Sequence, residues 1–256
     1  MKYRARSFWG LAYLKDMGPV KLLKALPDFL FPENLYCACC GDSIDRKTRI
    51  HCLCDRCIKK IQWISDDPYL SEGEDLAFDG LFSCCLYGYF PRQMVFKLKF
   101  KGARYLARPL AKLIADRVLL SFAGDYGEVK DSFDLVSFIP CSKERYLERG
   151  YNQAELLAKY VSKELEIPMK TLLLKPKETP SMRLAGRIER KTILENAFMI
   201  SKKAEDLKGK RILLIDDVLT TGSTASEAAR TLKDAGCKSV HVAVFASGTG
   251  PLGRQD

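Results

Sequence analysis

RILLIDDVLTTGST, residues 211–224, is the stretch from which the fold can be read. RILLI is an unbroken apolar run, the mark of a strand buried on both faces of a parallel sheet. It ends in two adjacent carboxylates, Asp216 and Asp217, and a short loop leads into a helix expected over 223–235 and stopped by Gly236. SVHVAVFA (239–246) is then a second buried strand, which makes 211–246 a strand–helix–strand unit. Further out, an aromatic strand is expected near 81–90, then a helix carrying Leu106, Leu110, Leu113, Ile114 and Val118 at helical spacing. DLVSFIP (134–140) reads as a strand, and Leu156, Leu157, Tyr160, Val161 and Leu165 mark another helix. Apolar strands alternating with amphipathic helices predict an α/β domain whose parallel sheet is covered on both faces.

The same stretch predicts a ligand site. In parallel α/β sheets ligands lie beyond the carboxyl ends of the strands, where this loop emerges. Thr220, Thr221, Gly222, Ser223 and Thr224 offer amides, hydroxyls and a helix N-terminus to a phosphate dianion. Asp216 and Asp217 cannot bind phosphate, but they can accept hydrogen bonds from sugar hydroxyls and help hold a magnesium ion. A phosphate cradle flanked by diol acceptors describes a ribose 5-phosphate site. The plainer alternative, a capping Asp216 before an ordinary loop, leaves two acids at the end of so apolar a strand without a role.

With 256 residues, 47% of them hydrophobic and 29% charged, the chain has the composition of a globular protein, and no apolar run is long enough to span a bilayer. No signal-peptide core interrupts the basic opening, so a cytoplasmic protein is expected. The net charge of +10 is local. Residues 92–117 hold eight basic side chains against one acid, and 170–191 seven against two, which together exceed the whole surplus. Such locality favours an anionic ligand, although solvated helix faces would show the same count.

Six of the ten cysteines fall in CACCGDSIDRKTRIHCLCDRC, residues 37–57. Cys37-x-x-Cys40 and Cys54-x-x-Cys57 have the spacing of a four-thiolate structural zinc site, with Cys39, His51 and Cys52 near enough to replace a ligand. A redox dithiol is the competing reading. Cys84, Cys85, Cys141 and Cys237 are expected to be small buried hydrophobes. The organisation expected is an apolar, basic leader over 1–36, a zinc-ribbon module with an acidic linker over 37–79, and the α/β domain over 80–256.

RILLIDDVLTTGST resembles the phosphoribosyl pyrophosphate signature of the type I phosphoribosyltransferases. FLFPENLYCACCG (29–41), YGYF (87–90), KLKFKG (97–102) and FIPCSKERYLERGYNQAELLA (138–158) narrow the resemblance to the ComF family, associated with DNA uptake in natural transformation. The resemblance implies a type I phosphoribosyltransferase-like parallel sheet with a small N-terminal zinc-ribbon module, structural zinc, and magnesium bound with phosphoribosyl pyrophosphate. It implies pyrophosphate contacts from Lys143, Arg145 and Arg149 in a segment that continues through Gly150, Tyr151, Asn152 and Gln153, and a lid over 175–191. Single-stranded DNA and the helicase or recombination proteins of DNA import are its implied partners. Two departures stand out: the family's Pro-Val-Pro reads Phe138-Ile139-Pro140, and Met182 and Ile193 stand where Gln and Asn are expected. Two functional readings stay open, a transferase moving ribose 5-phosphate to an amine or base, and a binding protein that handles single-stranded DNA. For the latter, Lys97, Lys99 and Lys101 with Phe96, Phe100 and Tyr105 supply charge and stacking surface.

Overall fold

The computed structural model describes residues 36–44, 53–64, 76–122, 129–176, 197–202, 204 and 206–248. The leader over 1–35, most of the acidic linker, and the lid segment from 177 onward, with Met182 and Ile193, lie outside the described residues.

Four parallel strands form the central sheet in the order β1 (Gly80–Leu86), β6 (Ser239–Ser247), β5 (Arg211–Leu219), β2 (Leu135–Phe138). Each strand alternates between two apolar layers, as the unbroken hydrophobic runs require. Leu213, Ile215, Ala243 and Phe245 face α2 (Tyr89–Phe100), α3 (Ala107–Ser121) and α6 (Gln153–Leu165). Ile212, Leu214, Val242 and Val244 face α7 (Ser223–Asp234) and a small antiparallel pair, β3 (Leu173–Leu174) with β4 (Met199–Ile200). Helix α7 turns Ala225, Ala228, Ala229 and Leu232 to the sheet, a helical stripe whose small residues let the helix approach closely. Among the described residues there are also the short helices α1 (Asp55–Ile58), α4 (Val129–Ser132) and α5 (Lys143–Arg149). No helix among the described residues is long and apolar enough to cross a membrane.

Two expectations change, and the basic stretch resolves into separate elements. Strand β5 continues past RILLI to Leu219, because the backbone of residues 216–219 keeps pairing with β6 as far as Ser247, so the two acids lie inside the strand. The aromatic strand near 81–90 stops at Leu86: Gly88 is the N-cap of α2, and Pro91 sits in the first turn, where its missing N–H is harmless. The basic stretch 92–117 is two helices, parted at Gly102 and the 3-10 turn Arg104–Leu106.

The cysteine module is packed into the body of the fold. Cys37, Ala38, Cys39, Leu53, Cys57 and Ile61 share one apolar cluster with Met94, Val95 and Leu98 of α2. Trp63 bridges Cys85 of β1, and the Ile64 amide donates to the Cys84 carbonyl at 3.0 Å. The sheet carries the stability of this arrangement: Leu214→Ala, at a position with no solvent exposure, should lower the unfolding free energy by about 2–5 kcal/mol in urea titration, while Leu147→Ala, 71% exposed on α5, should leave it within about 0.5 kcal/mol.

Candidate functional site

Beyond the carboxyl ends of β2 and β5 lies a pocket of about 290 Å³. One wall is the loop after β5, with Thr220, Thr221, Gly222 and Thr224 leading into the N-terminus of α7. Gly222 is held at φ +74°, and an added Cβ would stand 3.2 Å from Leu76, so both backbone angle and packing demand glycine. Thr221 and Ser223 hydroxyls lie 3.0 Å apart. Ser223 is bound in this way to the loop, although it does not line the pocket as its neighbours do.

The opposite wall comes from the loop after β2. Pro140 and Cys141 lead into α5, capped by Ser142, which accepts from the Arg145 amide, and ended by Gly150 at φ +73°. That left-handed residue turns the chain so that Asn152 caps α6, accepting from the Ala154 amide while its Nδ2 donates to the Ile139 carbonyl. The result brings Arg145, Arg149 and Gln153 to the pocket; Lys143 is exposed and does not line it. Lys175 joins them from β3's end. Burial and then the neighbouring Arg145 guanidinium push the Lys175 amine below its ordinary value, the electrostatics of cations crowded together. Arg149 Nε and Gln153 Nε2 are buried with no hydrogen-bond partner among the described residues. Donors in that condition are suited to an acceptor-rich ligand.

Asp216 and Asp217 form the pocket floor. Asp217 is ion-paired with Lys99, Nζ to Oδ2 2.8 Å, and Asp216 accepts from the Asp217 amide at 2.8 Å. Burial and then the adjacent Asp217 charge drive the Asp216 carboxyl up to about 8, against the opposing pull of Lys99. Burial disfavours the Lys99 charge, but Asp217 and Asp216 outweigh it and raise that amine above its ordinary value.

This placement corrects the reading of Lys97, Lys99 and Lys101 as one basic surface. Lys99 belongs to the pocket, and Lys97 donates to the carbonyls of Ala38 (3.1 Å) and Cys39 (3.0 Å) in the first cysteine turn. Only Lys101 stays exposed, 6.0 Å over the Phe96 ring. Helical spacing puts Lys99 on the opposite side of the helix from Lys97, and Lys101, as the C-cap, lies past the last helical residue. Cys141 is corrected too, since it is half-buried and lines the pocket, whereas Cys84, Cys85 and Cys237 are buried as expected. Lys175 and Tyr87 are pocket residues to which no site role was assigned, although Tyr87 opens the YGYF stretch and Lys175 the expected lid; a further signal was position just beyond a strand end.

In the module that Lys97 holds against α2, the sulfurs of Cys37, Cys40, Cys54 and Cys57 lie within 4.8 Å of one another. A tetrahedral zinc site with bonds of about 2.3 Å has edges of about 3.8 Å, and Cys40 and Cys54 are 3.8 Å apart. The donor set fits zinc. Burial pushes the Cys37 thiol up, but the amides of Cys40, Cys54 and Cys39 outweigh it and bring it down to about 7, as thiolate ligation favours. Cys39 is held apart, buried with its Sγ 3.8 Å from the Phe90 carbonyl, and its thiol is raised to about 11, chiefly by burial. His51 and Cys52 lie outside the described residues.

The sequence profile of the phosphoribosyl transferase domain matches residues 152–255. Competence protein F of Haemophilus influenzae is 28% identical over 158 residues, 58% of this chain and 64% of its own length. DNA utilization protein YhgH of Escherichia coli is 29% identical over 150 residues, 58% of this chain and 63% of its own. Competence protein ComFC of Bacillus subtilis is 27% identical over 210 residues, 82% of this chain and 75% of its own. The chain thus spans a little under two thirds of the length of the first two.

Two outcomes are expected. Metal analysis of the reduced protein should find about one zinc per chain, lost in the Cys54→Ser/Cys57→Ser double variant; a metal-free wild type would contradict the site. Asp216→Asn should raise the melting temperature by an amount that grows from about pH 4 to about pH 8 and then levels off. The sign follows from a folded value above that of the unfolded chain: the wild-type carboxyl contributes stability while protonated and loses it as pH rises through about 8. A gain that does not change with pH would contradict the buried acid pair.

Proposed function

We propose that this chain, a member of the ComF family, binds phosphoribosyl pyrophosphate in the pocket between the β2 and β5 loops and serves DNA uptake in the cytoplasm. The observation that carries the reading is the division of charge within one pocket. Arg145, Arg149 and Lys175 converge on one side, while the loop 220–224 and the Asp216–Asp217 pair form the others. A ligand satisfying all three needs a 5-phosphate for the loop, a diol for the acids, and a second, highly anionic group for the cations. Phosphoribosyl pyrophosphate has those three parts. Magnesium suits the same floor, because Asp216 and Asp217 are hard oxygen donors and the metal would offset pyrophosphate charge.

The DNA role draws on the relatives' names, competence protein and DNA utilization protein. Single-stranded DNA and the import helicase or recombination proteins that handle it are the partners this role implies. A reducing compartment suits a four-thiolate metal site and the free thiols of Cys84, Cys85, Cys141 and Cys237.

Calorimetric titration with phosphoribosyl pyrophosphate, with and without magnesium, tests the reading. Arg145→Ala, at an exposed position outside the core, should weaken binding by tenfold or more, since a charge-assisted hydrogen bond contributes about 1.5–3 kcal/mol. Thr221→Val should also weaken it. A wild type that binds no phosphoribosyl pyrophosphate, or two variants with unchanged affinity, would overturn the assignment.

A further inference from the structure

The acid floor of the pocket already holds a cation. Lys99 Nζ stands 2.8 Å from Asp217 Oδ2, and that oxygen is buried at the contact. The Lys99 side chain is 27% exposed against 6% for Asp217, and both line the pocket, so what the pocket meets at this point is largely the ammonium. One oxygen of the neighbouring acid is engaged as well, since Asp216 Oδ1 accepts from the Asp217 amide at 2.8 Å. At most one oxygen of each acid is then left to a ligand.

Magnesium asks for more than that. It takes near-ideal octahedral oxygen coordination at about 2.0–2.1 Å, and carboxylate charge offsets its reluctant dehydration. Asp216 and Asp217 suit it as hard oxygen donors, but an ammonium in contact with Asp217 cancels one of their charges and repels a second cation. Lys99 is not free to leave. It lies in the last turn of α2, next to the fully buried Leu98 and two residues after Lys97, which is bonded to the Ala38 and Cys39 carbonyls. The anionic end of a sugar phosphate has fixed cations of its own across the pocket, Arg145, Arg149 and Lys175. A sugar diol is neutral and needs acceptors rather than net charge, which the remaining carboxyl oxygens supply.

We infer that Lys99 is the specificity-determining residue of the floor, a built-in counter-ion in the place a divalent cation would take at Asp217, so that a sugar phosphate sets its diol on the acids with no metal at that point. The inference rests on the sugar-phosphate reading of the pocket and deepens it. Magnesium that accompanies phosphoribosyl pyrophosphate is confined to the pyrophosphate, and the floor reads the sugar alone. Without the ammonium, the same two acids become a divalent-cation site.

Two probes test this on the zinc-loaded full chain: manganese, a stand-in for magnesium that prefers carboxylates to thiolates, and ribose 5-phosphate, which has no pyrophosphate to carry a metal. Electron paramagnetic resonance of the wild type should show no manganese site that Asp217→Asn removes. Its calorimetric affinity for ribose 5-phosphate should change by less than about twofold with millimolar magnesium, short of the roughly fivefold at which coupling between two ligands begins. Lys99→Gln, neutral and similar in reach, should gain about one manganese per chain, lost again in Lys99→Gln/Asp217→Asn. Magnesium should then raise its ribose 5-phosphate affinity about fivefold or more. Lys99→Arg keeps the charge and should behave as the wild type. A wild-type manganese site that Asp217→Asn removes, a wild-type ribose 5-phosphate affinity that magnesium raises by about fivefold, or a folded Lys99→Gln protein that gains no manganese overturns the inference. The wild-type measurements need no variant at position 99, so they decide even where Lys99→Gln fails to fold. Failure of ribose 5-phosphate and phosphoribosyl pyrophosphate alike to bind overturns the pocket reading instead, and the manganese titration still decides the role of Lys99.

Discussion

The ion pair between Lys99 and Asp217 is the contact on which the rest of the arrangement depends. Asp216 and Asp217 are adjacent carboxylates in an apolar sheet; burial and the neighbouring charge drive the Asp216 carboxyl up to about 8, and the buried Asp217 needs a cation beside it to carry that charge. Lys99 supplies it from α2, a helix far from β5 in sequence. The two residues before it complete the attachment: Lys97 holds the first cysteine turn, and the Leu98 carbonyl accepts from the Tyr151 hydroxyl at the corner between α5 and α6. One helical turn thus fastens the metal module, the cationic loop and the acid floor together.

That arrangement explains why the cysteine module is packed against the sheet. Its four-thiolate cluster carries negative charge when metal is bound, and the Lys97 ammonium lies against the backbone beside it. The module in turn buries Cys37, Ala38 and Leu53 against α2. A helix held in its last turn by Lys97 and Lys99 and along its length by Met94, Val95 and Leu98 is a rigid support, the property a site needs when its ligand-facing groups must be fixed within a fraction of an ångström.

The pocket also shows how opposite charges are kept apart. The acids occupy the strand, where backbone pairing fixes them, and the arginines occupy a short helix whose left-handed Gly150 turns it back over the strand ends. Lys175 and Arg145 repel each other, and Asp216 holds its proton beyond the usual carboxylate range. These are electrostatic costs carried by the ligand-free protein, and a ligand with two anionic ends and a neutral middle would relieve them.

Much of this was legible in residues 211–246, because a buried parallel strand, a glycine-bearing loop and an amphipathic helix each have a local chemical cause. The alternation of apolar runs determined the α/β class, and the paired Cys-x-x-Cys spacing determined a four-thiolate site. The expected strand over 81–90 misread the role of Gly88, and the lysines of 97–101 looked like a single patch because a charge count has no direction. Only the tertiary structure decided that Lys97 faces the cysteines, Lys99 the acids and Lys101 the solvent, and that Phe96 and Phe100 are exposed beside the pocket. Sequence periodicity records which side of a helix is apolar; which element meets that side, and which charge across the fold meets the other, is set by long-range packing that no local window contains.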